Sequence, residues 1–351
     1  MSMLEVERWQ RRLSSVLQPL GRPYGLVMRC REAAYRKGWL SSWRPPVPCV
    51  SVGNISWGGS GKSPLCSKLL EWSLAQGLLP ALLSRGYKSI PPELPYLVEP
   101  TSPVRQSGDE PLMLARRHPG AAVIVDPSRS RASRWVVSRF KPDLLILDDA
   151  FQHLALERDV DLVVLTAEDF FRDWNRVLPA GRWREGGQAL SRASAFMLHI
   201  APEELSRHRE AILDRLSGFA KPIFSFFLIS HGVQRVIDGS WVSAVPGEYL
   251  LVSAVGSPQR VAATAEESLG RPPREHLVYP DHHFYSESDW FRIRDRSDRL
   301  GCSAVVCTSK DGVKLEPWAD KRLSALEVDL DFGPSLNAPS DFPSWLAARL
   351  F

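Results

Sequence analysis

No stretch of the 351-residue chain reaches the roughly 18 uncharged apolar residues that a bilayer-spanning helix needs. Cysteine is scarce as well. Cys30, Cys49, Cys66, Cys302 and Cys307 are odd in number, scattered, and form no Cys-x-x-Cys pair. That pattern argues against a disulfide framework or a structural zinc site and leaves buried, reduced thiols as the expectation. Nor is a secretory leader expected, since the first ten residues contain Glu5, Glu7 and Arg8 with no apolar core behind them. The chain is therefore expected on the cytoplasmic side. It has no internal repeat and no low-complexity tract. Charge of one sign does not dominate, since 44 Lys and Arg face 40 Asp and Glu for a net +4, with 44% hydrophobic and 24% charged residues. These proportions exclude intrinsic disorder and collagen-like structure. The length allows two domains, each with its own core.

The small positive excess is unevenly placed. Residues 1–44 hold nine Lys and Arg against three Asp and Glu, a net +6, which leaves −2 for the remainder. No basic stripe runs through the body, so no nucleic-acid partner is expected. The arm also carries Trp9, Trp39, Trp43, Tyr24 and Tyr35. Val6, Trp9, Leu13, Val16, Leu17 and Leu20 recur at three- and four-residue steps, a helical apolar stripe with arginines between its members. Pro19 and Pro23 are expected to break this helix, with a second helical stretch over 24–37. Two readings of the stripe stand: a first helix packed on the core, or an amphipathic helix on an anionic membrane surface.

Beyond the arm, apolar runs at 47–52, 81–84, 122–125, 144–147, 162–165 and 195–200 read as strands. Helical stretches at 62–76, 109–117, 128–140 and 202–216 fall between or after them. Buried strands alternating with helices indicate an α/β fold with a doubly wound parallel sheet, whose active site lies beyond the carboxyl ends of the strands. Residues 223–246 differ, with two strand-like runs and the turn pair Asp238-Gly239, and read as an extended β linker. A second alternation follows over 247–330, expected as a smaller α/β domain. The organisation read from the sequence is thus a basic arm (1–44), a P-loop kinase domain (45–222), the linker (223–246), the smaller domain (247–330), and a segment (331–351) returning to the kinase domain.

The strongest local signal is Gly53-Asn54-Ile55-Ser56-Trp57-Gly58-Gly59-Ser60-Gly61-Lys62-Ser63. An apolar strand enters a glycine-rich turn and then a helix, the arrangement that wraps backbone N–H groups and a helix N-terminus around phosphates. Gly58, Gly59, Ser60 and Gly61 form the cradle, Lys62 reaches the β- and γ-phosphates, and the Ser63 hydroxyl ligates magnesium. Ser56 stands where the strict pattern has glycine. The second signal is Asp148-Asp149 after the run Leu144–Leu147, carboxylates placed where a P-loop enzyme holds magnesium directly or through water. Together they imply ATP and Mg2+. Thr308-Ser309-Lys310-Asp311 does not match the Asn-Lys-x-Asp element that reads guanine, so an ATP-using enzyme is favoured over a guanine-specific switch.

These residues belong to a wider series of motifs. They include Ser51-Val52-Gly53-Asn54, Gly58-Gly59-Ser60-Gly61-Lys62-Ser63-Pro64, Ser84-Arg85-Gly86-Tyr87, Gly108-Asp109-Glu110-Pro111 and Asp148-Asp149-Ala150-Phe151-Gln152-His153. Leu178-Pro179-Ala180-Gly181-Arg182-Trp183-Arg184-Glu185, Asp281-His282-His283-Phe284 and Lys310-Asp311 follow in order. In this series the chain resembles the tetraacyldisaccharide 4'-kinase family, the lipid A 4'-kinases of Gram-negative bacteria, over about residues 20 to 315. The resemblance implies transfer of the ATP γ-phosphate to the 4'-hydroxyl of lipid A disaccharide 1-phosphate, giving lipid IVA. It implies a two-domain protein held peripherally on the cytoplasmic face of the inner membrane, in contact with anionic lipids. It assigns Lys62 and Ser63 to phosphate and magnesium, and Asp148 and Asp149 to the acidic pair near the metal. Asp109 is the implied base and His282 its partner from the other domain. Arg85 and Arg184 are phosphate clamps, and Gln152, His153 and Glu185 line the site.

Some points stay open on the sequence. His283 adjoins His282, and either imidazole can face the site; the pair lacks the helical spacing of metal ligands. Arg129 and Arg131 are further candidate substrate arginines. Ala150 stands where the family has glycine, and Ser309 where it has glutamate. A kinase or ATPase for another small molecule, and a membrane-bound nucleotide switch, remain as alternatives.

Overall fold

A computed structural model describes residues 3–351, and side chains at 13 and from 16 onward. The side chains of Val6 and Trp9 in the expected stripe lie outside the described residues. The chain opens with helix α1 (Met3–Arg36), which runs unbroken through Pro19 and Pro23. The expected break does not occur. The two prolines lie four residues apart, on one face, and both are exposed. The carbonyls that lose their donors therefore open toward solvent, where water takes the place of the missing N–H groups.

The elements that follow are β1 (Cys49–Asn54), α2 (Lys62–Ala75), β2 (Pro80–Ser84), β3 (Tyr96–Val98), α3 (Val104–Ser107) and α4 (Asp109–Arg117). Then come β4 (Ala122–Val125), α5 (Arg129–Phe140), β5 (Leu144–Asp148), β6 (Val160–Thr166), α6 (Ala167–Phe171), β7 (Ala195–His199) and α7 (Pro202–Leu216). The chain continues with β8 (Ile223–Arg235), β9 (Trp241–Val242), β10 (Tyr249–Ser253), α8 (Pro258–Leu269), β11 (Glu275–Val278) and α9 (Glu287–Arg299). It closes with β12 (Ala304–Thr308), α10 (Ser309–Leu315), β13 (Leu323–Phe332) and α11 (Phe342–Leu350).

The strands form one sheet in the order β11-β10-β12-β13-β8-β7-β6-β1-β5-β2-β4-β3, with β9 paired to β8. Strands β4, β2, β5, β1, β6, β7 and the start of β8 form one parallel block; β13, β12, β10 and β11 form another. The blocks meet only where β8 and β13 pair antiparallel, from Phe226 with Phe332 to Arg235 with Ser324. Reversal at this ribbon turns the carboxyl ends of both blocks toward one cleft. Each block with its helices is here a lobe.

The first lobe's strands are apolar on both faces, with every residue of β1, β2 and β5 buried, as helices on both sides require. α2 packs there through Leu65, Cys66, Leu69 and Leu70. α11 returns to the same core, where Phe342 and Trp345 meet Phe224 at ring separations of 5.2 and 5.4 Å. The second lobe has its own core around Leu250, Val252, Trp290, Ile293 and Val305. Four cysteines are buried as expected, whereas Cys30 on α1 is exposed.

Candidate active site

β1 and β5 run side by side with Val52 opposite Asp148, so the turn after β1 and the acids ending β5 share one edge. The turn needs glycine for two reasons. Gly58 and Gly61 have φ of 107° and 92°, where side chains are strained. A Cβ on Gly61 would also lie 2.9 Å from His199 Nδ1 and 3.1 Å from Phe226. α2 then starts at Lys62, whose Nζ lies 3.1 Å from Asn54 Oδ1, 3.4 Å from Ser60 Oγ and 3.5 Å from Asp149 Oδ1. The Ser63 hydroxyl donates to Glu110 Oε2 at 2.8 Å.

The two strand-end carboxylates are pushed apart electrostatically. Burial raises Asp149, but Lys62 and Arg184 outweigh it and bring its pKa down to about 2. Arg184 Nη1 donates to both Asp149 oxygens at 3.0 Å and to Gln152 Oε1 at 3.2 Å. Gln152 Nε2 in turn donates to the Asn54 carbonyl at 3.0 Å. Among the described residues no arginine pairs with the Asp148 carboxylate. Burial, with Glu110 and Asp149 nearby, raises its pKa to about 6, and it accepts from Ser84 Oγ at 3.1 Å. The left-handed residue of this turn is Asp149, with φ 47°, and Ala150 has no positive φ. Aspartate tolerates that region better than alanine. The departure at 150 therefore carries no backbone strain.

Asp109 opens α4, and His282, in the turn after β11, reaches it across the cleft. His282 Nδ1 lies 3.0 Å from each Asp109 oxygen. Burial raises the Asp109 carboxyl, but the His282 hydrogen bond and the Lys310 and Lys314 ammoniums hold it well below the usual carboxylate range. His283 points elsewhere, to Asp289 at 3.1 Å within the cap of α9. The imidazole facing the site is therefore that of His282.

Not every residue expected in the site is placed in it. Arg85 is exposed and makes no ion pair among the described residues. Glu185 is buried and held by Arg192 at 2.8 Å, which also reaches Glu32 of α1 at 2.9 Å. It thereby ties α1 to the body. Arg129 lies beneath the strand end, donating to the Asp148 carbonyl at 2.8 Å. Arg131 is spent on Asp126, at 2.7 Å. The His153 ring is partly buried, which pulls its pKa down to about 4, and its buried Nε2 has no partner. Ser309 donates to the Leu326 carbonyl at 3.0 Å, a structural bond.

Three further charged residues, whose roles the sequence does not show, complete the cleft. Glu110 binds Ser63, Lys310 binds Glu110 at 2.7 Å, and Lys314 lies 3.5 Å from Asp109. Glu110 and Lys310 sit inside the quoted motifs, and Lys314 follows Lys310 by one helical turn. The signal was present, but only the fold shows the contacts.

The cradle and acids suit a magnesium nucleotide. Among the described residues no three His, Cys, Asp or Glu side chains form a ready-made metal cage. Magnesium needs none, because it takes few protein ligands and completes its shell with phosphates and water. The positive-φ glycines leave the loop backbone free to approach phosphates, and Ser63 and Asp148 are oxygen donors at its end.

Fold and site thus define a P-loop phosphotransferase. Comparison with known proteins gives the particular family. The family model described as Tetraacyldisaccharide-1-P 4'-kinase matches residues 13–350. A tetraacyldisaccharide 4'-kinase of Nitratidesulfovibrio vulgaris is 43% identical over 347 residues, covering 99% of this chain and 97% of the relative. One of Oleidesulfovibrio alaskensis is 44% identical over 349 residues, covering 97% and 96%. The chain belongs to the tetraacyldisaccharide 4'-kinase family and is an ATP-dependent kinase. A crystal structure of LpxK from Aquifex aeolicus in complex with ATP shares the fold, with a TM-score of 0.74, 24% identity, and coverage of 97% of this chain and 100% of that one.

Proposed function

We propose that this chain transfers the γ-phosphate of ATP to the 4'-hydroxyl of lipid A disaccharide 1-phosphate, forming lipid IVA, at the cytoplasmic face of the inner membrane. The observation that carries the reading is the Asp109–His282 pair, formed across the cleft, with Asp109 beside the Glu110 that bonds P-loop Ser63. A nucleotide switch has no use for a carboxylate and an imidazole aimed at an incoming hydroxyl; a sugar kinase does.

In this reading Gly58, Gly59, Ser60 and Gly61 receive the phosphates through backbone N–H groups. Lys62 leaves Asp149 to neutralise the β- and γ-oxygens. Ser63 and Asp148 would hold magnesium, with Asp149 alongside, and the ion would supply positive charge against the transferring group. Asp109 takes the proton of the 4'-hydroxyl. His282 donates Nδ1–H to Asp109, orienting it and stabilising it as an anion until the proton arrives. Arg184 is held ready by Asp149 and Gln152, while Arg85, exposed at the rim, is free to meet substrate phosphate. His153, with its unpartnered Nε2, lines the same side. Glu185 acts indirectly by fixing α1 through Arg192.

The lipid side of the reading rests on α1 and the turn that follows it. Val16, Leu20, Val27 and Trp39 are 57 to 76% exposed, an apolar surface set among arginines. No described helix is long and apolar enough to cross a membrane. Between α1 and the 175–186 loop lies a cavity of about 660 Å3 lined by Arg22, Arg29, Arg176, Gln18, Val177 and Ala180. Gly21 permits the close approach, since a Cβ there would sit 3.2 Å from the Val177 carbonyl. Cations beside apolar walls suit a phosphorylated lipid headgroup.

The test is direct. Purified protein, labelled ATP, magnesium and lipid A disaccharide 1-phosphate in detergent micelles should yield a product with one added phosphate, a 1,4'-bisphosphate. Mass spectrometry and fragmentation should place the new phosphate at the 4' position. Folded, ATP-binding protein that leaves the disaccharide unmodified sinks the proposal.

A further inference from the structure

The second lobe contributes more to the catalytic edge than His282. α10 is capped by Thr308, whose side chain accepts from the Asp311 N–H and fixes the first turn. Lys310 and Lys314 lie four residues apart and so share one face of this helix. That face packs on the start of α4. Lys310 Nζ sits 2.7 Å from Glu110 Oε1 and 3.2 Å from His282 Nε2. Lys314, only 1% exposed in its side chain, lies 2.9 Å from Asp311 and 3.5 Å from Asp109. Two adjacent acids of the first lobe are therefore each met by an ammonium from the second.

The contacts around His282 form a directional chain. An ammonium has three donors and no acceptor, so the contact between Lys310 and Nε2 is a hydrogen bond only if Nε2 carries a lone pair. The ring proton is then on Nδ1, the atom that faces the Asp109 carboxylate. Burial disfavours the charged form of Lys310, but Glu110 and Asp109 more than compensate and hold it as an ammonium. The backbone at His282 supports the same pose: φ is 56°, its N–H donates to the Ala254 carbonyl at 3.1 Å, and the Tyr87 ring lies 4.9 Å away. Asp281 Oδ1, 3.9 Å from Nε2, is too distant to compete with Lys310.

We propose that Lys310 is a positioning residue for the phosphoryl transfer: its ammonium docks the second lobe onto Glu110 and locks His282 in the Nδ1–H tautomer that orients Asp109. Lys314 is the second anchor of the same clasp. Lobe docking and correct assembly of the reacting pair thereby become one event. A second lobe that is displaced takes the imidazole and its tautomer lock away together, which keeps the base unassembled until the cleft is closed. The proposal rests on Asp109 and His282 being the reacting pair, so its primary readout needs no lipid.

Full-length protein with 15N-labelled histidine is examined by NMR at pH 8 without ligands, and a His282→Asn variant identifies the signal among the eight histidines. Wild type is expected to show Nδ1 protonated and Nε2 unprotonated. An Nε2–H tautomer in wild type overturns the proposal, whether or not any variant folds. Lys310→Met is expected to give averaged tautomers, to lower kcat by at least about tenfold, and to change KM for ATP by less than about twofold, because none of the Lys310 contacts is to the P-loop itself. Lys310→Arg, which retains a donor, should keep the tautomer and recover part of kcat. A folded Lys310→Met that retains both the wild-type tautomer and kcat within about twofold also overturns it. Inactivity of the wild type toward the lipid disaccharide would count against the lipid-kinase reading and leave the tautomer result to be judged separately.

Discussion

Asp109→Asn isolates the charge of the base from its volume. Asparagine keeps an oxygen that can accept from His282 Nδ1, now 3.0 Å from both carboxylate oxygens, but it cannot take a proton. General-base catalysis is worth about 10²- to 10⁴-fold, or roughly 3 to 5 kcal/mol of barrier at room temperature. The loss should fall on kcat, with KM for ATP nearly unchanged, because no P-loop contact runs through Asp109. Stability should fall less. Lys314 loses one carboxylate but retains Asp311 at 2.9 Å, so the cost is about 1 to 3 kcal/mol, below the 3 to 5 kcal/mol of a buried charge left alone. The pH dependence has a definite sign. The folded pKa of Asp109 lies below its unfolded value, so the carboxylate stabilises the protein at neutral pH and that contribution disappears as pH falls through the folded pKa. The melting-temperature gap between wild type and variant should therefore be largest near pH 7 and narrow in acid. The assay is steady-state turnover on the lipid disaccharide, paired with thermal melts. A variant within about tenfold of wild-type kcat would refute the assignment of Asp109 as base.

Other expectations can be checked with the same preparation. Lys62→Ala removes the group poised between Asn54 and Asp149 and should reduce turnover by orders of magnitude in a normally folded protein, as circular dichroism will show. With the Asp148 pKa raised to about 6, magnesium must displace a proton below that pH; apparent magnesium affinity by calorimetry should fall by up to about tenfold per pH unit there and level off above it. Gly61→Ala forces a side chain into a φ of 92° and against His199, and should weaken ATP binding far more than it lowers the melting temperature. Replacing exposed Val16, Leu20 and Val27 by glutamate, or deleting residues 1–20, should release the protein from anionic vesicles in a sedimentation assay with ATP affinity intact. Vesicle pelleting that survives all of these changes would mean that the membrane contact lies elsewhere.

Helix α4 begins and ends at the expected residues, as do α7 and β4, because each has a clear apolar period and punctuation at its ends. The unbroken α1 was hidden because proline's intrinsic penalty is the dominant local signal, and exposure of the freed carbonyls is a tertiary fact. Strands β3 and β13 went unread for a different reason. β3 has three residues, and β13 alternates apolar residues with Glu327, Asp329 and Asp331, which read as polar loop. In the site, the P-loop and the acid pair were legible because the chemistry of each is contiguous in sequence. The Lys310–Glu110 contact spans two lobes, and spacing along the chain carries no trace of it. Glu185 and Arg129 show the converse: both sit near chemistry-bearing motifs in the sequence, yet the fold gives them to an α1 tether and to the support of a strand end.

The antiparallel pairing of β8 with β13 has a mechanical consequence. The chain enters the second lobe along one strand and leaves along the neighbouring one, so both connections run through a single narrow ribbon. Two-stranded ribbons accommodate more twist than wide sheets, and they resist stretching because their hydrogen bonds act in parallel. The soft coordinate of this molecule is therefore torsion about the ribbon axis. The second lobe should roll, like a key in a lock, sweeping the 281–283 turn and α10 along an arc over a P-loop that stays still. A probe pair sensitive to rotation, for example spin labels on α9 and α5, would register that roll as a change in angle with little change in the distance between lobe centres.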